Sequence, residues 1–182
     1  MDLSTIAREI HCCILCDLHR SRTWAVPGEG PGYSRIMLVG EAPGREEDIQ
    51  GKPFVGRSGG ILNEILKEVG IRRDDTFITS VVKCRPPENR VPRKREVETC
   101  IEAHLQRQIE VIDPAIICLL GGVATKALLR IDCLSEGRRR VFRRGKRVFS
   151  PTYHPAAAGR SRSWHRALCE DMKELSRLVP SP

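Results

Sequence analysis

Apolar residues fall into short continuous runs and longer periodic stretches, which alternate along the chain. Arg35-Ile-Met-Leu-Val-Gly40, Thr76 to Val82, Ala115 to Leu120 and Lys146 to Ser150 read as strands. The internal runs are nearly unbroken by polar residues, as expected of parallel strands covered on both faces. Between them, Ile61, Leu62, Ile65, Leu66 and Val69 recur at helical spacing, and Gly70 supplies a stop. Val97, Ile101, Leu105, Ile109 and Ile112 mark a second helix, and Val123 to Leu129 a short third. Trp164, Leu168, Met172, Leu175 and Val179 stripe a final amphipathic helix. Thr5 to Cys16 reads as a short helix running into a C-x-x-C. Pro27, Gly28, Gly30, Pro31 and Gly32 mark a flexible connector. Glu41 to Gly60 and Lys83 to Arg95 read as long loops, and loops of that length inside a compact domain are usually functional.

This alternation predicts an α/β domain with a mainly parallel sheet covered on both faces. No repeat or second domain is visible, so residues 1–182 are expected to form one domain. In such sheets ligands bind beyond the carboxyl ends of the strands. The segments placed there are Glu41 onward, Lys83 onward, Gly121-Gly122, and Thr152-Tyr-His154-Pro155. They are also the segments with unusual chemistry.

Composition narrows the class. No apolar run approaches the ~20 residues of a membrane span, and the N-terminus has no signal-peptide core, so an intracellular, cytoplasmic protein is expected. Net charge is +8, from 31 Lys+Arg against 23 Asp+Glu, which favours a polyanionic partner. Basic residues cluster at Lys83–Arg95, at Arg138–Arg147 and at Arg160–Arg166. The middle run reads as a hairpin or loop before the last strand. Eight cysteines in a chain with no secretion signal point to metal binding more than to disulfides. Cys13 and Cys16 form the C-x-x-C, and Cys84 and Cys100 bracket a proline-rich loop. Four thiolates suit tetrahedral zinc or an iron–sulfur cluster. Cys12 is an alternative to Cys13. Cys118 reads as core, whereas Cys133 and Cys169 have no assigned role.

Three further residues stand out. Glu41 follows the first strand directly, where a carboxylate can bind a metal, activate water or stabilise a cation. His154 lies at the same sheet end. Phe54, in a loop of Gly and Pro, is either a stacking platform for a base or a lid packed inward.

Gly40-Glu-Ala-Pro-Gly44-Arg-Glu-Glu-Asp48 and Gly51-Lys-Pro-Phe54-Val-Gly56-Arg-Ser-Gly59 resemble the first motif of family-4 uracil-DNA glycosylases. Val82-Lys-Cys84-Arg-Pro-Pro87-Glu-Asn-Arg90 resembles the second, and His154-Pro-Ala156 the third. The resemblance implies a three-layer α/β/α sandwich around a four-stranded, mainly parallel sheet. It implies a [4Fe–4S] cluster on Cys13, Cys16, Cys84 and Cys100 that ties the N-terminal segment to the core. It also implies a monomer that hydrolyses the N-glycosidic bond of uracil in single- or double-stranded DNA. In that reading Phe54 stacks on the extruded base, the backbone of Gly40, Glu41 and Ala42 contacts it, and His154 hydrogen-bonds its O2 as negative charge develops. Glu41, helped by Glu47, stabilises the sugar cation. Lys83, Arg85, Arg90 and Arg160 are the expected phosphate contacts.

Two departures matter. Ser80 stands where the family carries an Asn that reads the uracil edge, and a hydroxyl has one polar group where an amide has two. A shifted or broadened lesion range is therefore expected. Ala157-Ala-Gly-Arg160 is smaller and less hydrophobic than a loop that wedges into DNA. The competing expectations are a non-catalytic iron–sulfur module that binds DNA, a glycosylase for another base, and a metal-assisted nuclease using Glu41, Glu46, Glu47 and Asp48.

Overall fold

In the computed structural model, which describes residues 2–178, the three most apolar runs become the central strands of one sheet. They are β1 (Ile36–Gly40), β2 (Thr76–Ser80) and β3 (Ile116–Leu120), buried along their whole length. β4 (Phe142–Arg144) and β5 (Arg147–Thr152) complete it, in the order β2-β1-β3-β5-β4. All pairings are parallel except β4 with β5. The sheet thus has five strands, not four. The extra one arises because the Arg138–Arg147 run folds back as a hairpin on the last strand. Its turn at Gly145 lies at the sheet end opposite the C-termini of the parallel strands.

Alternation along the strands divides the core in two. Met37, Val39, Phe77, Ile117, Leu119 and Phe149 face α1 (Leu3–His11), α4 (Lys94–Cys100), α5 (Gln106–Ile112) and α6 (Gly122–Leu129). Leu38, Ile78, Ile116, Cys118 and Leu120 face α3 (Arg57–Glu68) and α9 (Arg162–Leu178). These are the three expected layers. Val179, the last residue of the expected stripe, lies outside the described residues. α4 and α5 join through a π turn at Ile101–Leu105. The short helices are α2 (Arg45–Gln50), α7 (Leu134–Gly137) and α8 (Pro155–Ala158).

Two expectations are corrected. Residues 41–60 are not one loop, because α2 and the start of α3 lie within them. The 27–32 connector is not flexible. Glu29 exchanges both backbone hydrogen bonds with Ile78, at 2.9 and 2.8 Å, covering the open edge of β2. Only glycine allows that approach at position 30, where a Cβ would sit 2.1 Å from the Thr76 carbonyl oxygen. Packing also attaches the N-terminal segment. Ile6 and Ile10 are fully buried, each worth about 1.5–3 kcal/mol of transfer free energy, and Glu9 pairs with Arg107.

The register sets Gly40 beside Ser80 and Leu120 beside Thr152, so the parallel strands end level. Chain direction across the sheet reverses between β1 and β3. A crevice opens at such a switch point, on the carboxyl side.

Candidate active site and cysteine cavity

At that crevice lies a cavity of about 240 Å³ whose lining includes Ala42, Glu47, Phe54, Ser80 and His154. Each comes from a different turn of chain at the strand ends, so sequence-distant residues converge. Gly40 and Glu41 are not part of its wall. Gly40 instead makes room for the Phe54 ring, since a Cβ there would lie 2.7 Å from Phe54 Cζ. Phe54 is packed inward at 7% exposure and also lines the cavity. Its backbone has φ 51°, a strained value for a residue with a side chain.

Two features hold Phe54 in place. Glu47 is the N3 residue of α2 and accepts hydrogen bonds from Gly44 N (3.1 Å), Val55 N (2.9 Å) and Gly56 N (2.8 Å). Its carboxylate therefore clamps the loop after Phe54 to the start of α2. The second feature is Gly59 in α3, where a Cβ would lie 1.9 Å from the Phe54 carbonyl oxygen.

His154 caps α8, and its Nδ1 accepts from Ala156 N at 3.1 Å. That bond requires an unprotonated Nδ1, so the neutral ring carries its proton on Nε2. Burial pulls the pKa down to about 4, with Glu47 opposing weakly, so the ring is neutral at pH 7. Its centroid lies 5.8 Å from that of Phe54, tilted by 31°. Burial pushes the carboxyl of half-buried Glu41 above its usual range. Ser80 is buried at the end of β2 and lines the cavity.

The expected phosphate contacts divide. Lys83 is buried, with Nζ donating to Thr79 Oγ1 (2.6 Å) and the Ser80 carbonyl (2.8 Å), so it cannot reach DNA. Arg90 is committed to a two-pronged pair with buried Glu96, at 2.9 and 2.7 Å. Glu96 also caps α4 through Arg93 N. Arg85 bonds Asn89 through Nε alone, and Arg160 is exposed. Both keep donors available for phosphate. Arg45 and Arg57, exposed residues of the cavity lining, were not singled out from the sequence. The available signal was their place just after Gly44 and Gly56, at helix N-termini. In the Arg138–Arg147 cluster, Arg138 binds Asp171, Arg139 binds Glu170, and Lys146 and Arg147 bind Asp113.

The four carboxylates of the nuclease expectation do not converge. Asp48 is buried and accepts from Thr23 N at 2.9 Å. Among the described residues no three of Glu41, Glu46, Glu47 and Asp48 bring oxygens within 4.8 Å of one another.

Cys13, Cys16, Cys84 and Cys100 line one cavity on the other face of the sheet, whereas Cys12 is the exposed C-cap of α1. Arg22 Nη1 donates to Cys84 Sγ at 3.0 Å. His104, from the π turn, lines the same cavity, and both its ring nitrogens are buried without a partner. Cys118 is buried in β3, as expected of a core residue.

The sequence has clear counterparts among known proteins. A family model described as the uracil DNA glycosylase superfamily matches residues 27–176. The chain is 46% identical over 164 residues to the type-4 uracil-DNA glycosylase of Archaeoglobus fulgidus, covering 85% of this chain and 82% of that protein. It is 41% identical over 184 residues to the type-4 enzyme of Thermotoga maritima, covering 97% and 94%. Identity to the type-5 uracil-DNA glycosylase of Pyrobaculum aerophilum is 31% over 163 residues, covering 76% and 71%. The matched span contains Ala42, Glu47, Phe54, Ser80 and His154 of the strand-end cavity, and on the strength of these matches the chain belongs to the uracil-DNA glycosylase superfamily.

Proposed function

We propose that the chain excises uracil from DNA by hydrolysing its N-glycosidic bond, with the strand-end cavity holding the extruded base. The observation that carries this is the fixed tautomer of His154. A half-buried neutral imidazole whose Nε2–H is free beside an aromatic ring suits a base that leaves as an anion. The base must leave its stack to reach such a pocket. Phe54 then offers a face for stacking, and Nε2–H donates to O2 as the bond to the sugar breaks. Glu41 acts through its charge. A carboxylate half withdrawn from water interacts strongly with a sugar cation, and it can orient the attacking water. Arg85 and Arg160, together with Arg45 and Arg57 at the cavity rim, supply phosphate contacts.

The test is single-turnover release of base from oligonucleotides carrying one uracil, hypoxanthine or xanthine, in chelator. Rapid release of uracil is the expected result. DNA binding without release of any base would establish the binding-module reading instead.

A second reading, a broadened lesion range, is favoured by one observation. Ser80 lines the cavity with a single-hydroxyl side chain, where a longer amide would present both a donor and an acceptor. Hypoxanthine release should be measurable beside uracil release. Ser80→Asn should raise the uracil-to-hypoxanthine rate ratio about tenfold, the equivalent of one hydrogen bond. An unchanged ratio would refute this reading.

The cysteine cavity fits a [4Fe–4S] cluster better than zinc. Tetrahedral zinc with Zn–S bonds of ~2.3 Å needs sulfurs about 3.8 Å apart. Among the described residues no three of the four sulfurs lie within 4.8 Å of one another. A cluster bonds each thiolate to a different iron and takes a wider cage. The partnerless His104 ring, whose neutral form has one N–H, and the Arg22 guanidinium give the cavity donors suited to an anionic centre. When bound, the cluster would supply a covalent cross-link between the N-terminal segment, the loop after β2 and α4. Cys13, Cys16, Cys84 and Cys100 would hold it. The isolated protein should be brown. Cys100→Ser should lose most of the visible absorption, whereas Cys12→Ser should keep it. Colourless protein with stoichiometric zinc would overturn this assignment.

A further inference from the structure

Away from both sites, α3 and α9 bring three different donors together. Glu68 ends α3, and His165 and Cys169 sit one turn apart on α9. Cys169 Sγ lies 3.4 Å from Glu68 Oε2 and 3.7 Å from His165 Nδ1, and all three donor atoms fall within 4.8 Å of one another. We propose that Glu68, His165 and Cys169 form a second metal site, for a single zinc-class divalent cation with water as its fourth ligand.

The argument rests first on geometry. With Zn–S near 2.3 Å and Zn–N or Zn–O near 2.0 Å, the S···N and S···O edges of a tetrahedron are each about 3.5 Å. The two measured edges straddle that length. The four cysteines show the opposite behaviour, their sulfurs being too widely spaced for one ion. The donor set is also apt. Thiolate with imidazole and carboxylate suits zinc, and residues four apart on a helix present donors to the same side. Cys169 is 3% exposed, so helix packing already fixes one ligand, while the partly exposed His165 and exposed Glu68 leave an entry path.

Two features work against binding, and neither blocks it. Lys173 Nζ lies 3.7 Å from Glu68 Oε1, but its side chain is half exposed and free to withdraw, and Oε2 is the oxygen facing the sulfur. Burial, and then Glu68, push the Cys169 thiol up to about 11. On binding, the S–H proton passes to solvent as the Zn–S bond forms, with no change of oxidation state, and the cation replaces the proton as the partner of Glu68. The bound ion would pin α9 to the end of α3. Those two helices flank the segments that carry Phe54 and His154.

The test uses the protein as isolated, with its four-cysteine centre intact, titrated with zinc at micromolar concentration. Native mass spectrometry should show one added zinc per chain. A hundredfold excess over Kd should raise Tm by about 5 °C or more. The double variant Glu68→Gln/His165→Ala alters groups at the surface and should keep the zinc-free Tm within a few degrees. It should take up no added zinc and show no zinc-dependent shift. Cys133→Ser, which removes an exposed thiol elsewhere, should behave as wild type. Failure of the wild type to bind, or undiminished uptake by the double variant, would overturn the proposal.

Discussion

Replacing His154 by alanine will lower the single-turnover rate of uracil release about 10²–10³-fold, the usual loss when one preorganised donor to a developing anion is removed. Binding of uracil-containing DNA should change far less, because the donor matters most after charge has moved onto the base. The pH profile separates this role from a purely structural one. His154 is held at about 4, below the ordinary 6.5, so its Nε2–H donor is fully populated at neutral pH. On acidification the ring takes a second proton only near pH 4, and only then is the Nδ1 bond from Ala156 N lost. Glu41 has the opposite sign. Burial raises its pKa, and it must be ionised to stabilise a cation, so the first loss of rate on lowering the pH belongs to Glu41. The rate should therefore be flat around neutral pH and fall on acidification. Glu41→Gln should be slow throughout and lack that first limb. An inflection near pH 6.5 that vanishes in a His154 variant would refute the neutral-donor assignment, and a fully active Glu41→Gln would refute the role of Glu41.

The second large effect comes from a methyl group. Gly59→Ala places its Cβ 1.9 Å from the Phe54 carbonyl oxygen and 2.2 Å from the Phe54 carbonyl carbon. Both are backbone atoms, so no rotamer change relieves the clash. The loop carrying Phe54 must move by an ångström or more, and displacement on that scale costs about 10²-fold in rate. Stability should fall by about 1–3 kcal/mol as α3 and the loop separate. The neighbouring position supplies the control. A Cβ on Gly60 meets nothing within 4 Å. Gly60→Ala should therefore keep full activity and gain up to about 1 kcal/mol from helix propensity. Equal activity of the two variants, measured as single-turnover uracil release at saturating enzyme, would show that the Phe54 loop does not need its strained position.

Much of the framework was legible because burial on both faces leaves a direct trace. A strand between two helical layers must be apolar throughout, and Ile36–Gly40, Thr76–Ser80 and Ile116–Leu120 carry that trace. The α3 and α9 stripes were legible for the related reason that one face of each helix meets the sheet. β4 left no such trace. It is a three-residue edge strand, mostly exposed, inside a run of arginines, and its pairing comes from the hairpin turn. α2 was equally silent. Its six residues have almost no apolar face, and its N-terminus is held by Glu47 in contact with a loop eight residues ahead.

The sequence by itself determined which chemical groups stand at the strand ends. The motifs around Glu41, Phe54, Ser80 and His154 put a carboxylate, a ring, a hydroxyl and an imidazole there. Only the tertiary structure decided what each group is free to do. Lys83 and Arg90 look like phosphate ligands in a basic loop, yet one is buried against carbonyl and hydroxyl oxygens and the other is committed to Glu96. Glu47 spends its carboxylate on three backbone N–H groups, and His154 receives its tautomer from Ala156 N. The physical reason is that charge and hydrogen-bonding capacity belong to the residue, whereas their availability depends on which partners the fold brings within about 3 Å.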